Sequence, residues 1–129
     1  MTRVLVADND DSVRSLYSTW LNEAGYQVEE AKRGDVALSL ALHRPFDVVI
    51  LDAVLPVLDG VTVIKRLRAA QQHCHIIAAS GGGPGIPADV ALMLAGMFGV
   101  DRMLYKPINR HDLLAAVAEA HSGMALAAE

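Results

Sequence analysis

With one cysteine in 129 residues, Cys74, the chain cannot form an internal disulfide. That fits a reducing compartment. No apolar run approaches the roughly 20 residues that cross a bilayer. The opening residues carry no basic region followed by an apolar stretch and a small-residue cleavage site, so no secretion signal is expected. The expectation is a cytoplasmic chain with no membrane contact. Excess positive charge is also lacking: 11 Lys and Arg stand against 15 Asp and Glu, for a net charge of −4. Neutralising phosphates takes clustered cations, so no nucleic-acid partner is expected. Neither a linker nor a low-complexity segment is visible, which leaves one domain over residues 1–121 and a tail over 122–129 expected to fray.

What remains is a chain that is 53% hydrophobic and only 20% charged, a globular balance. Five short apolar runs alternate with longer amphipathic stretches. The runs are Val4–Ala7, Gln27–Ala31, Val48–Leu51, Ile76–Ala79 and Met103–Tyr105. Between the first two, Val13, Leu16, Tyr17, Trp20, Leu21 and Ala24 recur at helical spacing, and Gly25 follows where a helix end favours glycine. Further helices are predicted over 35–43, 61–71, 88–98 and 109–121, with Pro45 stopping the first of these and Asn109 capping the last. Strand–helix alternation of this kind predicts an α/β fold, a doubly wound parallel sheet with helices on both faces. The third and fourth runs are apolar throughout, as strands covered on both sides should be.

In such a sheet, ligands sit beyond the carboxyl ends of the strands. Asp8, Asn9 and Asp10 follow the first run, Asp52 the third, Ser80 the fourth and Lys106 the fifth. Carboxylates, a hydroxyl and an ammonium therefore converge on one cleft. Crowded carboxylates raise one another's pKa unless something positive sits among them. Such oxygen donors suit a hard dication such as magnesium, which keeps several waters and completes its shell with phosphate oxygens. A central carboxylate can act as a nucleophile and become an aspartyl phosphate. A dication and a lysine then supply positive charge to the phosphoryl oxygens.

Other stretches read more plainly. Asp59-Gly60 is a turn and helix start. The glycine-rich Ser80–Gly85 lacks the Gly-Lys-Ser/Thr of a nucleotide-binding loop. His73, Cys74 and His75 are adjacent residues at a strand entry and are not read as a metal site. His43, His111 and His121 read as surface residues.

The stretch LDAVLPVLDG, Leu51–Gly60, resembles the phosphoacceptor segment of response-regulator receiver domains: Asp, three residues, Pro, two residues, Asp-Gly. Gly99-Val100-Asp101 followed by Tyr105-Lys106-Pro107 resembles that family's Gly-Ala-Asp…Lys-Pro. The similarity runs from residue 3 to about 121. It implies a flavodoxin-like sheet of five strands in the order 2-1-3-4-5 with five helices, and a signalling module rather than an enzyme. It implies phosphorylation of Asp52 by a histidine kinase or a histidine phosphotransfer protein, with magnesium or manganese. Ser80 and Lys106 would bind phosphoryl oxygens. Asp8, Asn9, Asp52 and the backbone carbonyl of Val54 would hold the metal, with Asp10 as a further candidate. Lys106–Pro107 would be a cis peptide. Output would pass through a protein contact, to a downstream target or a second copy.

Three departures from the family pattern stand out. Asn9 replaces an acid. Met103, three residues before Lys106, replaces the aromatic residue that with Ser80 would form the switch. The residues after Ser80 are glycines where Ala and polar residues are common, so a mobile loop is expected. Two other readings compete. A degenerate receiver would bind partners without being phosphorylated. Asp8–Ser12 also fits the opening of haloacid-dehalogenase-like phosphatases, with Ser80 and Lys106 in later roles, but that leaves Asp52 unexplained and supplies no acids at a strand end after Lys106. Finally, Leu92, Met93 and Met97 fall on the outer side of the predicted fourth helix. With Met103 and Tyr105 they make a candidate interaction patch.

Overall fold

The computed structural model describes residues 2–70, 72–81, 87, 93, 96 and 98–128. Five parallel strands, β1 (Arg3–Ala7), β2 (Gln27–Ala31), β3 (Val48–Asp52), β4 (His75–Ser80) and β5 (Arg102–Tyr105), form one sheet in the order β2-β1-β3-β4-β5. The helices among the described residues are α1 (Asp11–Glu23), α2 (Gly34–His43), α3 (Gly60–Ala69) and α4 (Arg110–Ala128). The helix predicted over 88–98 lies largely outside the described residues. No helix among the described residues is long and apolar enough to cross a membrane.

Alternation along each central strand divides the core into two layers. Val4 and Val6 of β1, Val48 and Ile50 of β3, and Ile77 and Ala79 of β4 pack with Tyr17 and Leu21 of α1 and Leu113 and Val117 of α4. Leu5, Val49, Leu51, Ile76 and Ala78 point the other way, onto Ala37 and Ala41 of α2 and Val63, Ile64 and Leu67 of α3. A strand sandwiched this way has no polar face, which is why β3 and β4 read as continuous apolar runs. Each such Leu or Ile removed from water contributes about 1.5–3 kcal/mol.

Helix α1 ends as its sequence requires, with Gly25 at φ +96° just after the C-cap. Its buried stripe is narrower than its apolar pattern suggests. Tyr17 and Leu21 are buried, whereas Leu16 and Ala24 face solvent. A helix meets a sheet along one line, and residues about 100° off that line are left outside. At the other end of the chain, Asn109 Oδ1 accepts the Asp112 N–H (2.8 Å), the expected cap of α4. That helix continues to Ala128, into the residues read as a C-terminal tail.

Candidate functional site

Beyond β1 the ladder persists for one residue: the Asp8 N–H donates to the Ala31 carbonyl at 3.0 Å. Asp8 is thereby held at the sheet rim, only 3% exposed. Its Oδ1 accepts the Asp10 N–H (2.8 Å). Asp10 then caps α1, its own Oδ1 accepting the N–H groups of Ser12 (2.9 Å) and Val13 (3.1 Å). Asp52 closes β3, where its Oδ1 accepts the Val54 N–H at 2.9 Å. Asp59 caps α3 through the Thr62 N–H (3.0 Å) and hydroxyl (2.8 Å). Gly60 behind it presses on β3 so closely that a Cβ there would stand 2.0 Å from the Asp52 carbonyl oxygen. Sequence position 60 is a glycine because the helix start packs against the backbone that carries Asp52.

Lys106 unites these parts. Its N–H donates to the Ser80 carbonyl (3.0 Å), extending the β4–β5 ladder. The Lys106–Pro107 peptide is cis. The ammonium reaches both carboxylates, 2.5 Å from Asp8 Oδ2 and 2.8 Å from Asp52 Oδ2. Gly81 lies alongside, its missing Cβ position 3.3 Å from the Lys106 Cβ. Burial pushes the Asp52 carboxyl above the ordinary aspartate range, against the opposing pull of Lys106 and the Val54 N–H. Burial works against the Lys106 charge too, but Asp52 and Asp8 together outweigh it and hold the amine above its ordinary value. The positive group among the crowded acids is thus this ammonium.

The donor set fits a hard dication: oxygen atoms from Asp8 and Asp52, close enough to share one cation. Asn9 and Asp10 are both exposed at the same rim.

The sequence profile of the response regulator receiver domain matches residues 4–118. The chain belongs to this family. A relative, the DNA-binding dual master transcriptional regulator RpaA of Synechocystis sp., is 34% identical over 118 residues, which is 91% of this chain and 48% of that protein. The receiver domain therefore spans about half the length of such curated relatives. Among solved structures, the receiver domain of the Francisella response regulator 1452 is 27% identical, with a TM-score of 0.86 over 96% of this chain and 99% of that one. A Burkholderia pseudomallei response regulator, solved with a phosphorylated aspartic acid, a calcium ion and citrate, is 27% identical, with a TM-score of 0.79 over 99% of this chain and 74% of that one.

Within this receiver domain, Asp8, Asp52 and Lys106 meet directly, and Ser80 is wholly buried at the adjoining strand end. Asp10, the further metal candidate, is engaged as a helix cap. Met103 and Tyr105 share the exposed side of edge strand β5, at 47% and 60% exposure, and Met93 is 60% exposed. The Met103 sulfur lies 3.5 Å from the position a Cβ on Gly96 would take. Leu92, Met97 and the loop after Gly81 lie outside the described residues. Among the described residues, no group of three His, Cys, Asp or Glu side chains is arranged to hold a metal ion.

Two features escaped the sequence reading. Val57, in the turn after Pro56, adopts φ +69° while 73% exposed, an uncommon conformation for a β-branched residue. Arg14 of α1 reaches back to the Asp8 carbonyl at 2.9 Å. Its one legible signal is the three-residue spacing from Asp11.

Proposed function

We propose that this receiver domain accepts a phosphoryl group on Asp52 from a histidine kinase or a histidine phosphotransfer protein. The observation that carries the reading is the ammonium shared by Asp8 and Asp52 at 2.5 and 2.8 Å. It pulls against the effect of burial on Asp52 and so favours the anion that a nucleophile must be. An Asp52 oxygen donates its electron pair to phosphorus as the bond from phosphorus to the donor's histidine nitrogen breaks, and that nitrogen keeps the bonding pair. The Lys106 ammonium offsets negative charge on the transferred group. The Ser80 hydroxyl is assigned to a second phosphoryl oxygen. Bound magnesium supplies further positive charge there. Asp8, Asn9, Asp52 and the Val54 carbonyl would hold it, with the neutral oxygen of Asn9 giving a weaker site than an acid would.

Output is assigned to a protein contact made through the exposed Met93, Met103 and Tyr105, with a target protein or a second copy. Incubation with acetyl phosphate, with magnesium and then with a chelator, tests the phosphoacceptor reading by intact mass. One added phosphoryl group that requires the metal is expected. No gain under either condition would favour a module that acts without phosphorylation, and steady release of free phosphate with no adduct would favour a phosphatase.

A further inference from the structure

We infer that Arg14 is a positioning residue that clamps the Asp8–Asp10 loop and so aims the Asp8 carboxylate into the site. The inference rests on the phosphoacceptor reading for its functional meaning, but its geometry stands apart from it. Arg14 lies on α1, with its side chain only 14% exposed. Its guanidinium touches three separate places. Nη1 donates to the Asp8 carbonyl at 2.9 Å, Nη2 to Asp11 Oδ1 at 2.6 Å and Nε to Glu30 Oε1 at 3.0 Å. These acceptors belong to the loop after β1, the first turn of α1 and the end of β2. One planar fork therefore ties the loop to both elements that flank it. Lysine, a compact point charge on a flexible stem, cannot span three such acceptors in fixed directions.

The consequence falls on Asp8. Its N–H is fixed by Ala31, its carbonyl by Arg14 and its Oδ1 by the Asp10 N–H. With these three points held, Oδ2 is left facing Lys106. Removal of Arg14 frees the carbonyl and lets the peptide plane after Asp8 turn, which also loosens the Asp10 N–H. Glu30 and Asp11 meanwhile lose their countercharge beside an already acidic loop, which favours looser structure there. Groups that orient a metal-holding side chain commonly change metal affinity by roughly 10–100-fold when removed.

The test uses the full chain as wild type, Arg14→Met and Arg14→Lys. The first reading is hydrogen exchange in metal-free protein. The Asp10 amide of Arg14→Met should lose about tenfold protection while those of Ile50 and Ile77 keep theirs, and Arg14→Lys should recover only part of it. The second reading is the magnesium dependence of labelling by acetyl phosphate. Half-saturation should move up by about tenfold, with the rate at saturating magnesium little changed, a split that general loss of stability does not produce. Unchanged Asp10 protection, or full recovery by lysine, overturns the clamp. Lost protection in a series whose wild type takes up neither magnesium nor phosphoryl group upholds the clamp and sinks the phosphoacceptor reading instead.

Discussion

Lys106 Nζ lies 2.8 Å from Asp52 Oδ2, joining strand ends that are 54 residues apart in the chain. The same ammonium also serves the buried Asp8. Lys106→Met should therefore cost more than an exposed ion pair would. Removing one partner of a buried pair costs roughly 3–5 kcal/mol. Solvent reaches this lysine, whose side chain is 18% exposed, so a loss of about 2 kcal/mol at pH 7 is expected. The loss should shrink at pH 4, because the Asp52 carboxyl, already raised by burial, takes up its proton more readily there. Urea denaturation at both pH values measures it, and an equal loss at each would mean that charge is not the cause.

Asp52 imposes its own pH dependence. Burial, and to a smaller extent Asp8, raises its folded-state pKa above the 3.8 of an ordinary aspartate. Between those two values the folded chain holds a proton that the unfolded chain has released. The group's contribution to stability accordingly falls as pH rises through that window and levels off above it. Asp52→Asn removes the effect. Denaturation midpoints followed from pH 3.5 to 7 should show the wild type losing ground to this variant as pH rises. A constant gap between the two would contradict the raised pKa. Lys106 acts at the far end of the scale: its contribution is present below about 10.5 and is lost as pH climbs through its raised folded value.

Gly60 and Gly25 should respond differently to alanine. A Cβ on Gly60 would stand 2.0 Å from the Asp52 carbonyl oxygen and 2.8 Å from the Ala53 Cα, both backbone atoms that cannot swing aside. Gly60→Ala must push α3 off the end of β3, for a loss of about 3 kcal/mol together with slower phosphorylation, because Asp52 moves. At Gly25 nothing lies within 4 Å, and only the positive φ opposes a side chain. Gly25→Ala should cost about 1 kcal/mol and leave phosphorylation alone. Thermal denaturation with parallel labelling separates the two cases, and similar behaviour would refute the close packing behind Asp52.

How far the sequence could be read follows from this geometry. Asp8, Asp52, Ser80 and Lys106 were legible because a parallel sheet delivers its strand ends to one rim, and each of these residues directly follows an apolar run. Asp10 read as a further metal candidate, and its use as a cap went unread because the direction of its side chain is not legible in a sequence. Its bonds to the Ser12 and Val13 N–H groups show the capping use. Leu16 looked buried because periodicity reports a stripe without telling which edge of it meets the sheet. Arg14 was missed for a different reason. Two of its acceptors, the Asp8 carbonyl and Glu30, become neighbours only after β1 and β2 pair, and a backbone carbonyl leaves no trace in a sequence.

The exposed sulfur and aromatic surface on β5 gives a prediction about output. Met93→Gln combined with Met103→Gln should leave acetyl phosphate labelling intact and weaken association, either with a second copy or with a target protein. Sedimentation of the labelled and unlabelled forms measures the first alternative directly. Labelling lost along with association would mean that Met103 serves the site itself. A wild type that stays monomeric in both forms, with no target contact mapping to these residues, would remove the patch.

The most direct measurement is the fate of label in Asp52→Asn. Wild type and variant are incubated with acetyl phosphate and magnesium, weighed intact, and the adduct is then located by peptide mapping. If Asp52 is the acceptor, the wild type gains one phosphoryl group on the peptide containing Asp52, and the variant, folded as judged by circular dichroism, gains none. A folded variant that still takes up a phosphoryl group at Asp8 or Asp10, or a wild type that takes up none, would contradict it.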